Sequence, residues 1–257
     1  MARTVGFFTD VTICIGCKAC EVACKEWNQL EGNPPEFRDS FDNTGQLDDQ
    51  NWRHVKFIEG ARPNGGLAWT MMSDVCKHCA LASCMEVCPT NAIIRTEFDT
   101  VYIQPSVCNG CRYCIAACPY HVIGFSEKTG VAQKCTFCYT RLQANLMPAC
   151  AKACPTQSIK FGDLDEMRKL ARARLGTLHN QGVMEAQLYG EKEYGGLHAL
   201  FLLMDKPETY GLPNAENAVL PSRNNRKGYL GSLVTAAVGV LAGVIAFRTR
   251  GERAQEG

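Results

Sequence analysis

Cys108-Asn109-Gly110-Cys111-Arg112-Tyr113-Cys114-Ile115-Ala116-Ala117-Cys118-Pro119-Tyr120 carries four cysteines at gaps of two, two and three residues, and a proline follows the last. Cys14, Cys17, Cys20 and Cys24 repeat those gaps. Cys76, Cys79, Cys84 and Cys88 widen the middle gap to four, and Cys135, Cys138, Cys150 and Cys154 widen it to eleven. Pro89 and Pro155 close the second and fourth groups as Pro119 closes the third; Lys25 follows the first. These four groups use all 16 cysteines of the 257 residues. The segments 88–94, 118–124 and 154–160, each opening on Cys-Pro, align as internal repeats.

The spacing has a physical reason. A four-iron cubane presents an iron at each of its corners. A tightly coiled loop with cysteines two residues apart delivers three thiolates to three of them. The fourth thiolate, ending in Cys-Pro and starting a new segment, points away, and in two-cluster ferredoxins it ligates the other cluster. Sixteen thiolates therefore suit four [4Fe-4S] clusters, with all sixteen cysteines as iron ligands. Zinc is the alternative, because C-x2-C pairs also build zinc ribbons. One tetrahedral ion needs two separated pairs, however, and a triple run crowds it with thiolates. Disulfides are a third use of cysteine. Met1 to Val11 lacks a charged head with an apolar run and cleavage site, and the chain is long for a disulfide-stapled domain.

Composition narrows the class. Lysine and arginine total 27 against 26 aspartates and glutamates, so no basic field favours nucleic acid as a partner. The apolar share of 46% and charged share of 21% are those of a folded chain. Sixteen thiolates, with about two positive charges returned by each oxidised cluster core, bring the loaded chain to about −7. Cations beside ligands, namely Lys25, Lys77, Lys134 and Lys152, would offset that charge or stay solvated. His54, His78, His121, His179 and His198 lack zinc-site spacing. His78 and His121 adjoin ligands, where packing or tuning would suit them. No phosphate-cradling loop or nucleophile elbow occurs, so no catalytic residue is expected.

Short strands are expected after the Cys-Pro turns, at Val101–Ile103 and Ile159–Phe161. Residues 28–66 read as a polar insertion with turn signals at Asn33-Pro34-Pro35 and Asn64-Gly65-Gly66 and one strand, Trp52–Glu59. Asp163 and Glu166 have capping-box spacing and open a helix with an apolar stripe of Leu164, Met167, Leu170, Ala171 and Leu175. Gly228–Phe247 is uncharged, and as a helix it would be about 30 Å long, the thickness of a bilayer core. Arg223, Arg226 and Lys227 precede it and Arg248, Arg250 and Arg253 follow, which leaves its orientation undecided. Gly239 and Gly243, with Gly231 and Thr235 on the same face, suit packing on another membrane helix. A buried core helix is the alternative.

The chain resembles the iron–sulfur (beta) subunits of respiratory formate dehydrogenases, within the electron-transfer subunits of molybdopterin oxidoreductases. The likeness runs from about residue 5 to 215. It is carried by Cys14–Cys24, Asn51–Val55, Lys77-His78-Cys79, Cys108–Tyr120, Lys134–Cys138, Pro148–Cys150 and Pro207–Pro213. The cysteine motifs identify the larger group. The insertion, the Pro207–Pro213 segment and the terminal helix select formate dehydrogenase.

The resemblance implies an α+β fold of two ferredoxin-like dicluster subdomains with a single C-terminal transmembrane helix. Residues 1–162 would form the four-cluster region, with groups one and four in one unit and groups two and three (about 67–130) in the other. Residues 163–227 would be a helix and partner-binding arm, 228–247 the membrane helix and 248–257 a polar tail. Ligands would exchange within each unit: Cys14, Cys17, Cys20 with Cys154; Cys135, Cys138, Cys150 with Cys24; Cys76, Cys79, Cys84 with Cys118; Cys108, Cys111, Cys114 with Cys88. The implied partners are a molybdenum or tungsten pterin subunit that oxidises formate and a membrane cytochrome b-type or other quinone-reactive subunit. The implied place is the inner membrane, with the globular part on the periplasmic face. A hydrogenase or another molybdopterin oxidoreductase would use the same kind of wire, and a zinc-rich structural module is the rival from another class.

Overall fold

The computed structural model describes residues 3–32, 40–61, 66–215, 220 and 226–253. Asn33-Pro34-Pro35, Asn64-Gly65 and Arg223 lie outside them. The chain opens with β1 (Val5–Asp10) and α1 (Ala19–Asn28), followed by β2 (Arg53–Ala61) and β3 (Leu67–Val75). Short elements come next: α2 (Ser83–Glu86), β4 (Ile93–Arg95), β5 (Val101–Ile103), α3 (Tyr113–Ala117), β6 (Gly124–Ser126) and β7 (Val131–Gln133). Then follow α4 (Tyr139–Gln143), α5 (Ala149–Lys152), β8 (Ile159–Asp163), α6 (Leu164–Asn180), β9 (Gln187–Tyr189) and β10 (Ala199–Leu203). A separate compact unit, Val219–Gly257, holds α7 (Arg226–Arg253).

Every residue of β1 is buried, as expected of a strand covered on both faces. The sheet order is β8-β1-β10-β9. Phe7 lies opposite Phe161 of antiparallel β8 and Ala199 of parallel β10. Adjacent side chains of β1 serve different cores, because strand side chains alternate faces. Phe8 joins Met167, Ala171, Leu178, Leu200 and Leu202 in the core under α6. Phe7 instead stacks on Phe137 at 4.1 Å, towards the cysteine-bearing loops. Three further hairpins, β2-β3, β4-β5 and β6-β7, complete the strands of the described residues.

The differences from expectation are physical. Asp163 caps α6, its carboxylate accepting from the N–H groups of Asp165 at 3.0 Å and Glu166 at 3.4 Å. Leu170 is 39% exposed whereas Leu178 is buried. At 100° per residue Leu170 falls to the side of the stripe, and Leu178 continues it. The insertion's strand, β2, is half of a hairpin: it pairs with β3, just past the insertion, from Arg53 opposite Val75 to Ala61 opposite Leu67. Within residues 163–227, β10 joins the main sheet beside β1. Gly228–Phe247 has no buried residue, unlike a core helix, and the helix continues past it through Arg253.

The Cys-Pro repeats share one turn. Asn91, His121 and Gln157 have φ of 53°, 51° and 53°. Their N–H groups donate to the carbonyls of Cys88, Cys118 and Cys154 at 3.3, 3.2 and 3.2 Å. Proline at the second turn position pre-sets the bend.

Candidate metal centres

Cys14 and Cys17 in the loop before α1 and Cys20 in the first turn of α1 line one cavity, and Cys154 completes its wall (site 1). The loop coils because Gly16 and Lys18 are both left-handed, at φ 66° and 58°. A side chain at Gly16 would come within 2.8 Å of the Phe57 ring, so glycine meets both the conformation and the space. Gly110 and Arg112 repeat this backbone at φ 71° and 64° in the third group. Cys24, on α1, has Cys135, Cys150 and Cys138 as its main electrostatic neighbours, and these four form the remaining set (site 2). Burial raises the Cys24 thiol well above its ordinary pKa, and those three thiols raise it further.

Cys76, Cys79, Cys84 and Cys118 line a third cavity with Lys77, His78, Ser83 and Lys134 (site 3). Cys88, Cys108, Cys111 and Cys114 line a fourth (site 4). In every site three cysteines of one group meet one of another. Neighbouring thiols link the sites in a row. Burial pushes Cys20 up to about 12, and Cys150 of site 2 adds to the rise. Burial likewise pushes Cys135 of site 2 to about 12, with Cys76 of site 3 contributing. Burial takes Cys84 of site 3 to about 12, where Cys114 of site 4 also acts. These influences pair site 1 with site 2, site 2 with site 3 and site 3 with site 4, the order 1-2-3-4.

These sites fit polynuclear clusters better than single ions. Among the described residues no three His, Cys, Asp or Glu side chains converge where one metal ion would sit, as zinc requires. Site 3 supplies a second observation. His78 Nδ1 accepts the Val101 N–H at 3.0 Å, which puts the ring proton on Nε2. That buried Nε2 and Ser83 Oγ find no partner among the described residues, and both residues line the site. Sulfurs of a bound cluster accept such donors. Thiols held at high pKa by burial must release protons when metal binds, so loading and deprotonation are coupled.

Of the lysines beside ligands, two are buried. Lys77 Nζ binds the Asp74 carboxylate and the Val75 carbonyl, the latter at 2.8 Å. Lys56 approaches the other Asp74 oxygen at 3.0 Å. Burial alone would raise the Asp74 pKa; Lys77 and Lys56 outweigh it and hold the carboxyl well below the ordinary range. Lys134 Nζ donates to the carbonyls of Val101 at 2.5 Å and Cys135 at 3.1 Å. Lys25 donates to the backbone of Glu31 and Gln50 at 2.9 and 2.8 Å, while Lys152 and His121 are exposed. Sequence reasoning missed Arg53, which is 2% exposed and donates from Nη2 to Cys150 Sγ at 3.2 Å. Their separation of 97 residues leaves no local signal.

Two family models, each described as a 4Fe-4S dicluster domain, match residues 13–92 and 67–164. Their overlap follows chain order, whereas the cavity of site 1 joins the first cysteine group to the fourth. The nitrate-inducible formate dehydrogenase iron–sulfur subunit of Escherichia coli (strain K12) is 37% identical over 241 residues, 92% of this chain and 81% of the relative. The formate dehydrogenase-O iron–sulfur subunit of that strain is 39% identical over 208 residues, 79% of this chain and 69% of the relative. The thiosulfate reductase electron transfer subunit of Salmonella typhi is 41% identical over 158 residues, 61% of this chain and 74% of the relative.

Proposed function

This chain belongs to the iron–sulfur subunits of formate dehydrogenases, and from that membership we propose that it relays electrons through four [4Fe-4S] clusters. Its relatives are iron–sulfur subunits, not catalytic ones, and the chain is likewise a non-catalytic electron-transfer subunit. Electrons would come from a molybdenum or tungsten pterin subunit that oxidises formate and leave towards a cytochrome b-type or other quinone-reactive membrane subunit. The observation that carries this reading is three cavities each lined by four cysteines, with Cys24, Cys135, Cys138 and Cys150 left as a fourth mutually interacting set.

In this reading Cys14, Cys17, Cys20 and Cys154 hold the cluster of site 1, and Cys24, Cys135, Cys138 and Cys150 that of site 2. Cys76, Cys79, Cys84 and Cys118 serve site 3, and Cys88, Cys108, Cys111 and Cys114 serve site 4. Bound clusters supply one-electron storage; the protein supplies spacing, burial and electrostatics. His78 Nε2–H and Ser83 Oγ–H are placed to donate at site 3. Beside site 2 the buried Phe137 donates its N–H to Cys135 Sγ at 3.3 Å and stacks on Phe7 at 4.1 Å. Formate dehydrogenase is favoured over other oxidoreductases by coverage: those relatives align over 79–92% of this chain, the thiosulfate reductase subunit over 61%. Gly228–Phe247 would anchor the chain in the inner membrane by one pass, with the globular part on the periplasmic face.

The test is anaerobic purification of the membrane complex with iron, zinc and acid-labile sulfide assayed and the large subunit identified. Four clusters' worth of iron and sulfide beside a formate-oxidising pterin subunit is expected. Zinc in place of iron, or a large subunit of another specificity, would overturn the corresponding half of the proposal.

A further inference from the structure

Arg53 heads the fully buried side chains by size. Its Nη1 donates to Ser73 O at 3.4 Å and Ser73 Oγ at 3.3 Å, and its Nη2 to Cys150 Sγ at 3.2 Å. The guanidinium also lies over the Phe7 ring, 5.0 Å from the centroid. Its Nε has no hydrogen-bond partner among the described residues. Among the described residues no carboxylate pairs with it, in contrast to Lys77, whose charge Asp74 balances. Burying an unbalanced cation is costly. The potentially negative groups that act on it most strongly are cysteines: Cys150, Cys135 and Cys24 of site 2 and Cys20 of site 1. Ser73 ties the two sites together, since its hydroxyl also meets Cys20 Sγ at 3.2 Å.

We infer that Arg53 sets the reduction potentials of both site 1 and site 2, acting as one positive charge shared across their junction. The inference rests on the reading that these sites hold four-iron clusters. Reduction adds a negative charge to a cluster, and a fixed cation nearby in a poorly screened interior stabilises the added electron. Arg53 therefore raises both potentials. Its role is positional, because it holds no iron itself.

The test is a potentiometric titration followed by electron paramagnetic resonance on the anaerobically purified full complex, comparing wild type with Arg53→Lys, Arg53→Gln and Arg53→Met. Iron and sulfide are counted in each sample. In the two neutral variants, two of the four components should lose at least tenfold in reduction equilibrium, 59 mV for a one-electron couple. The other two should hold, and the lysine variant should keep most of the wild-type values. Unmoved potentials in fully loaded neutral variants would overturn the inference while leaving the cluster reading intact. So would a uniform shift of all four components, or a lysine variant that falls as far as glutamine. If both neutral variants lose clusters while the lysine variant keeps them at unchanged potentials, the charge serves assembly and the inference also fails. A wild-type complex short of four clusters would remove the premise instead.

Discussion

Replacing Val238 by arginine places a charge near the middle of Gly228–Phe247. Nine of the residues in that segment are Leu, Val, Ile or Phe. At about −0.3 to −0.6 kcal/mol each on an insertion scale, they favour the bilayer by on the order of 3 to 5 kcal/mol. An arginine at the helix centre costs about 2.5 to 3.5 kcal/mol, and the contribution of the valine is lost with it. The variant should thus sit near balance between inserted and free, a shift of a few hundredfold, since about 1.4 kcal/mol is a factor of ten. The assay expresses this chain without its partners and measures the fraction of it that resists alkaline carbonate extraction from membranes. Wild type and Val238→Leu should resist, Val238→Arg should be substantially extracted, and deletion of residues 228–257 should abolish attachment. Equal resistance of Val238→Arg and wild type would refute the argument that this segment holds the chain by apolar insertion.

Cys111→Ala should suppress formate-dependent quinone reduction far more than reduction of a dye that reaches the catalytic subunit directly; equal loss in an assembled complex would count against conduction. Phe137→Ala removes a ring that is 0% exposed and packed on Phe7 and His78, at 4.1 and 4.8 Å between centroids. It should cost about 3–5 kcal/mol and speed loss of cluster absorbance in denaturant, whereas Phe137→Leu should retain most of the resistance. Asp163→Ala removes the cap of α6 and should cost about 1 kcal/mol, read as an earlier unfolding transition with unchanged iron content.

The sequence was most legible where chemistry and local geometry coincide. The cysteine gaps and the Cys-Pro turns are short-range features; Ile159–Asp163 forms directly after its turn, while Val101–Ile103 pairs with Ile93–Arg95, the unread strand that follows the Cys88-Pro89 turn. β3 was not read, although a turn signal precedes it: its residues from Leu67 to Val75 mix exposed and buried positions without strict alternation. The parallel pairing of Phe7 with Ala199 could not be read either, because nothing within either segment names so distant a partner. Arg53 is the sharpest case. In a polar stretch an arginine reads as solvated, and only the fold that encloses it beside Ser73, Cys150 and Phe7 gives it a task.

The order of sites along the row differs from the order of cysteines along the chain, which bears on biogenesis. Site 1 closes between Cys14 and Cys154, 140 positions apart, whereas the walls of site 3 close between Cys76 and Cys118, 42 apart. Loop-closure entropy makes the longer ring dearer by about 1 kcal/mol. Synthesis imposes the stronger ordering. Site 3 has all its cysteines once Cys118 has left the ribosome, and site 4 already has its own by Cys114. Sites 1 and 2 must wait for Cys154 and Cys150. The middle of the polypeptide can therefore mature while the N-terminal loop still holds three cysteines in want of their fourth, the interval in which an iron–sulfur carrier or a chaperone has most reason to attend that loop.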